Sequence, residues 1–259
     1  MAVRHFDGVA DMARAGAAPF LSASASFAAL VRPTVLTYGF VAQVTVSISP
    51  AMYGLSIGAD GSIGLRSVVG VERRSAAGFV AAGRWQLIGA SVTANGYPRF
   101  HSYSFDARTW QRETAASTLP GPPAQPTGVS CDFGALSGSN RYCGDLAAVA
   151  LWSSALLDVH FDSLATVPRL SAWNGISTPN SLYLFDQLNA NQAIRNRITG
   201  STAYSRSGTT VVLDQPPIPY HLPGAYVLTD DGWTWMRAAL FDVMDADDWG
   251  LPRAITVLR

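Results

Sequence analysis

Short runs of alternating apolar and polar residues, cut every few positions by Gly, Pro, Asn or Ser, fill this chain from Ser26 to about Val149. A period of two belongs to the β-strand, whose successive side chains point to opposite faces. Phe27 to Val31 leads to Pro33, and Phe40 to Ser49 alternates until Pro50. Tyr53 to Ile57 meets Ile63 to Val69 across a turn in which Asp60-Gly61 supplies the positive φ of a tight hairpin. Arg84 to Val92 meets Arg99 to Phe105 in the same way across Asn95-Gly96. Two consecutive hairpins predict an antiparallel meander. Leu119 to Pro126 is too rich in Pro and Gly to pair in a sheet and reads as a loop, after which strands resume at Val129 and recur at Leu182 to Phe185 and Thr209 to Leu213.

Composition narrows what such a chain does. With 259 residues it can form one large β domain or two small ones, and a chain of that size buries roughly 70–75% of its unfolded surface, so neither metal nor disulfide is needed for stability. Eighteen basic residues balance eighteen acidic ones, which argues against nucleic acid or an anionic membrane as partner. Every basic residue except the histidines is Arg, and Glu occurs only at Glu72 and Glu113, a bias that resembles translation from a GC-rich genome. Losing Lys and Glu also removes two strong helix formers. No basic region followed by an apolar core opens the chain, so a secretory signal is not expected. The most apolar runs fall well short of the ~20 residues of a membrane span, so the expectation is a soluble protein. Cys131 and Cys143 flank Ser137-Gly138-Ser139; they read either as a hairpin disulfide or as two reduced thiols.

One short helix is expected over Ser153 to Leu164, with a Ser cap and Leu156, Leu157, Val159 and Leu164 on one face. The prolines at Pro216, Pro217 and Pro219 then divide residues 1–215 from an extension, 216–259. Within it Tyr226 to Leu228 reads as extended and Asp230-Asp231-Gly232 as a turn. Trp233 to Val243 reads as an amphipathic helix with Trp233, Met236, Leu240 and Val243 at helical spacing. Such a segment either packs back on its own domain or docks on another subunit.

Several segments, in order, resemble the laminin G-like and pentraxin-like branch of the concanavalin A-like superfamily. Arg4 to Met12, with Asp7-Gly8 and Asp11, resembles its opening strand. Gly83 to Gly89 resembles the central Trp strand, and Tyr97 to Tyr103 the strand after it. Gly144 to Leu156, a Gly-acid pair opening a strand that ends in an aromatic and a small helix, is similar to the family's most recognisable motif. Leu182 to Asp186 and Ala193 to Gly200 resemble the closing strand and the turn beyond. The resemblance implies an all-β, antiparallel two-sheet jelly-roll sandwich with one short helix and a C-terminal extension. It also raises Ca²⁺ as the one cofactor to consider, with Asp7, Asp11 and Asp145 at the matching positions, although a calcium site takes six to eight oxygens.

Chemistry is sparse. The paired carboxylates of a glycosidase have no counterpart, because Glu72 stands beside Arg73-Arg74 and Glu113 beside Arg112, where surface ion pairs are expected. His5, His101, His160 and His221 fall on separate elements, and no nucleophile elbow or phosphate loop is present. No enzyme is expected. Trp85 and Trp152 read as core anchors, whereas Tyr97, Tyr103, Trp110, Tyr142 and Trp173 lie in or near expected loops, where rings can stack on sugars. A jelly roll without an active site, free of lysine and ending in an aromatic tail, resembles minor tail or decoration proteins of phage virions. The expected partners are then other virion subunits or further copies of the chain, with a cell-surface glycan as ligand. A bacterial carbohydrate-binding lectin is the alternative, and a glycoside hydrolase a more remote one.

Overall fold

A computed structural model describes residues 2–9, 11–15, 24–45, 52–67, 71–94, 96–120, 130–134, 140–185, 194–199, 202–207, 209–213, 216–218, 225–229 and 232–236. In chain order the strands are β1 (Ala2–Asp7), β2 (Met12–Ala15), β3 (Ala25–Pro33), β4 (Gly39–Thr45), β5 (Met52–Ile57), β6 (Ile63–Arg66) and β7 (Glu72–Arg74). They continue with β8 (Gln86–Val92), β9 (Arg99–Ser104), β10 (Thr109–Thr114), β11 (Ser130–Phe133) and β12 (Cys143–Trp152). Helix α1 (Asp158–Thr166) and a 3-10 turn at Leu170–Gly175 intervene before β13 (Ser181–Leu184), β14 (Ile194–Arg195), β15 (Thr202–Ser207) and β16 (Thr210–Leu213). A separate hairpin, β17 (Ala225–Thr229) and β18 (Gly232–Met236), comes last.

Two antiparallel sheets result. Sheet A runs β10-β9-β8-β3-β12-β1-β16 with β13 also paired to β12, and sheet B runs β14-β15-β2-β11-β4-β5-β6-β7. The predicted jelly-roll sandwich is what forms. Both expected hairpins are present, β5 with β6 and β8 with β9, although the second is joined over residues 93 to 98.

Alternation sorts each strand between two cores. Phe27, Ala29 and Val31 of β3, Ile88 and Ala90 of β8, and Tyr53, Leu55 and Ile57 of β5 point between the sheets and pack with Phe133 and Tyr183. The other parity of sheet A, Ala28, Leu30, Leu87, Ala148 and Ala150, forms a second core under Phe161, Leu164 and Trp173. Sheet A is therefore buried on both faces over much of its width, which is why β3 and β12 read as nearly continuous apolar runs. Trp152 is a core anchor as expected, fully buried with its indole N–H donated to the Ile176 carbonyl at 3.0 Å.

Helix α1 departs from its expected start and face. Its N-cap is Leu157, whose own side chain forms no cap hydrogen bond, while His160 Nδ1 accepts the Leu157 N–H at 3.1 Å. The expected Ser cap is lost because Ser26 of β3 claims the approach, donating to the Ser154 carbonyl and accepting the Leu156 N–H, both at 2.8 Å. Leu157 and Val159 are 64% and 58% exposed, while Phe161, Leu164 and Ala165 are buried. Of the expected face, Leu156 and Leu164 are buried as their spacing implied, while Leu157, at the cap, and Val159 turn to solvent.

The extension also differs. Residues 232–236 are extended, pairing Leu228 with Trp233 and Tyr226 with Trp235. Trp233-Thr234-Trp235 alternates bulky β-formers, so the strand period prevails over the helical one. Trp233 and Met236 therefore lie on a strand and not on a helix, and Leu240 and Val243 lie outside the described residues. Ile218 is buried in the second core, which carries the sandwich past the boundary expected at residue 215.

The cysteines do not meet. Strand β11 belongs to sheet B and β12 to sheet A, so the chain between them crosses from one sheet to the other instead of closing a hairpin. Both thiols are free, and burial pushes that of Cys131 up.

Candidate functional site

The outer face of sheet A beyond α1 holds the main constellation. Trp110 of β10 pairs in register with Tyr103 of β9, which pairs with Leu87 of β8. The Trp110 and Tyr103 rings lie 5.0 Å apart at 45°, and Tyr103 meets Phe105 edge-on at 5.0 Å. Trp85 joins the same core from just before β8 and is partly exposed, not the fully packed anchor expected of it. The Arg112 guanidinium sits 4.4 Å over Trp110, and that of Arg32 5.3 Å over Trp85. Four partly exposed aromatics thus form a band edged by cations, with Arg84 and Asp106 paired at 3.8 Å beside it. Such rings supply flat apolar area while fixed charges supply directional hydrogen bonds.

Of the five aromatics expected to read glycan, only Tyr103 and Trp110 come together. Tyr97 is 55% exposed on the loop before β9. Tyr142 is buried, with its hydroxyl donated to the Asp145 carbonyl at 2.9 Å, and burial pushes its phenol up. Trp173 is fully buried beneath the 3-10 turn, its N–H donated to the Leu164 carbonyl at 3.0 Å. Neither offers a ring face to a ligand, because Tyr142 is packed in the core between the sheets and Trp173 in the second core under α1. The partner that sequence reasoning missed is Phe105, two residues after Tyr103 and so on the same strand face.

The three aspartates do not form a ligand set. Asp7 accepts the N–H groups of Val9 and Asp11 at 2.7 and 3.2 Å, and Asp11 accepts that of Asp7 at 2.9 Å, a reciprocal clamp on the turn from sheet A to sheet B. Burial raises the Asp11 carboxyl above its ordinary range, and the hydrogen bond it accepts from the Asp7 N–H opposes the rise. Asp145 bonds Arg32 at 2.6 and 2.9 Å and His5 at 2.8 Å. Its oxygens are therefore engaged, and among the described residues no three His, Cys, Asp or Glu side chains converge as metal ligands would.

A second feature lies on the outer face of sheet B. A row of registered residues crosses that sheet: Arg14, Asp132, Gln43, Gly54, Arg66, Glu72. Asp132, fully buried, holds Arg14 through two hydrogen bonds and accepts one from Gln43 at 3.3 Å. At the β7 end an open depression of about 530 Å³ is lined by Tyr38, Gly58, Ala59, Asp60, Glu72 and Arg74. Glu72 pairs with Arg74 at 3.0 Å, as the sequence suggested, but it also accepts the hydroxyls of Ser56 and Tyr38. Glu113 does not pair with its neighbour Arg112. Adjacent strand residues face opposite ways, so Glu113 accepts the Ala76 N–H at 2.7 Å while Arg112 reaches Asp162 on α1. The depression had a legible signal that was passed over: the outward positions of β5, β6 and their turn include Gly54, Ser56, Gly58, Ser62 and Gly64, a face nearly bare of side chains.

No family model matches this sequence, and no curated protein does. Solved structures do match in shape. A native heptameric SAP-like pentraxin from Limulus polyphemus superposes with a TM-score of 0.52 at 13% identity, over 81% of this chain and 94% of that one. The shared fold is an antiparallel two-sheet jelly roll. The LG1–3 region of the laminin α2 chain gives 0.45 at 9% identity, and the enzymatically active domain of bacteriophage CBA120 tailspike protein 2 gives 0.44 at 15%. This chain covers 58% and 67% of itself in those two matches, and spans 32% and 28% of the respective partners.

Proposed function

We propose that this protein is a non-enzymatic adhesion component of a phage particle that holds carbohydrate on the aromatic band of sheet A. The observation that carries the reading is that Trp110, Tyr103, Phe105 and Trp85 are gathered, partly exposed, on one sheet face with Arg112, Arg84 and Asp106 beside them. Sugar rings present an apolar C–H face to such rings and hydroxyls to such charges. The two glutamates support a non-catalytic role, since Glu72 is committed to Arg74, Ser56 and Tyr38, and Glu113 to a backbone amide on another strand. The all-arginine composition and the jelly roll support placement in a virion, where the extension beyond the sandwich would contact other subunits. Among the described residues no helix is long and apolar enough to cross a membrane.

A glycan array probed with the purified chain tests the reading, with Trp110→Ala as comparison and its melting temperature checked. Binding to a defined glycan set that is lost in Trp110→Ala, with no release of reducing ends, is expected. Retained binding in that variant, or turnover of a bound glycan, overturns it. Incorporation into particles, followed by immunogold labelling, distinguishes a virion component from a free bacterial lectin.

A further inference from the structure

We infer that the depression beside Tyr38 is a second carbohydrate contact, fitted to the vicinal diol of a neutral sugar ring and placed on the face of the sandwich opposite the aromatic band. The inference rests on the proposed function and extends it from one contact to two.

The depression is built by subtraction. A side chain at Gly58 would place its Cβ 2.4 Å from Arg74 Nη1 and 2.5 Å from Asp60 Oδ1, and one at Gly64 would fall 2.2 Å from Glu72 Oε1. Charged groups therefore lie flat on bare backbone, where larger residues would have lifted them into solvent. Arg74 is fixed from three directions. It donates to Ser62 Oγ at 2.8 Å and Glu72 at 3.0 Å, and its guanidinium rests 4.8 Å from the Tyr38 ring centre. Asp60 Oδ1 accepts the Ser62 hydroxyl at 2.7 Å and its N–H at 3.0 Å.

A guanidinium and a carboxylate consequently share one hydroxyl between them, so they stand one hydrogen-bonded atom apart. Adjacent ring hydroxyls have the matching character: one donates to a carboxylate while its neighbour accepts from a guanidinium. Arg has five N–H donors, of which Ser62, Glu72 and Ser56 occupy only part, and Asp60 is exposed at the rim. Tyr38 offers its ring to the C–H face of the same sugar. A neutral sugar fits better than an acidic one because Glu72 and Asp60 balance Arg74 and Arg66, and the Ser62 hydrogen bonds hold the Asp60 carboxyl below its ordinary range, hence ionised against an approaching carboxylate.

Amide-resolved NMR titration of the full chain tests this. The probes are the methyl glycosides of glucose, galactose and mannose, and sodium glucuronate and galacturonate. At least one neutral glycoside should shift the amides of residues 58–62 and Tyr38; Asp60→Asn, which keeps the turn's acceptor, should weaken that response by about tenfold and Trp110→Ala should leave it unchanged. Shifts at Trp110 and Tyr103 with none at 58–62 for any neutral glycoside would leave the aromatic band standing and remove the second contact. Tighter binding of either hexuronate would also remove it. Silence at both faces would overturn the two readings together.

Discussion

Gly89 has no side chain because Phe161 of α1 occupies the space one would need: a Cβ there would lie 2.3 Å from the Phe161 ring and 2.7 Å from the Phe27 carbonyl. Gly89→Ala is accordingly expected to cost about 1–3 kcal/mol by overpacking, read as a lower denaturant midpoint with an unchanged slope. His101, in register with Gly89, lies under the same helix, its imidazole stacked on Phe161 at 3.8 Å and fully buried. Burial lowers its pKa to about 3, with Arg112 and Arg99 adding to the effect and Asp158, 4.0 Å away, opposing it. A histidine whose folded pKa lies below its unfolded value, near 6.5, stabilises the fold fully above about pH 6.5, and that contribution is lost as pH falls toward the folded value. Chemical denaturation between pH 7 and 5 should show stability declining, and His101→Phe should flatten the slope because neither ring nitrogen has a hydrogen-bond partner among the described residues. An equally steep decline in His101→Phe would assign the loss to another group.

Helix α1 shows how far an element can be read before its neighbours are known. Its existence was legible from apolar spacing after Trp152, but its face only in part: Leu156 and Leu164 are buried and Leu157 and Val159 are not, because Ser26, more than a hundred residues earlier, decides where the first turn begins. The structure predicts that Leu157→Glu and Val159→Glu change stability by no more than about 0.5 kcal/mol, whereas Phe161→Ala costs about 3–5 kcal/mol. Thermal melts of the three variants would settle which face is buried, and a large loss at Leu157 would reverse the assignment. Strands were legible for a related reason: their period, and turns such as Asp60-Gly61, are local. The site was half legible. Tyr103 and Phe105 share a strand face by parity alone, but the depression gathers Tyr38, Asp60, Glu72 and Arg74 from three separate segments, and only the register across β4, β5, β6 and β7 places them together. The extension misled because Trp233, Met236, Leu240 and Val243 satisfy a helical spacing, while Trp233 and Trp235 satisfy a strand's equally well.

The sandwich has two cores, and they close at different points along the chain. The core between the sheets takes its last described residue from Ile194. The one between sheet A and α1 is still gaining residues at Val212 and Ile218. β16, the edge strand of sheet A, pairs with β1 and so ties the end of the jelly roll to its beginning. A chain ending at residue 218 should therefore keep the melting behaviour of the full protein, since among the described residues β17 and β18 pair only with each other. One ending at 215 forfeits Ile218 and should lose about 2–4 kcal/mol, the range for emptying a buried aliphatic site. If instead the 218 form melts well below the intact chain, the hairpin belongs to the sandwich's own packing and cannot also be the surface that contacts other subunits. If the two melt together, the hairpin of β17 and β18, a two-stranded unit too small to be stable alone, is left for a partner to cover. The same pair of chains thus separates what folds the molecule from what assembles it.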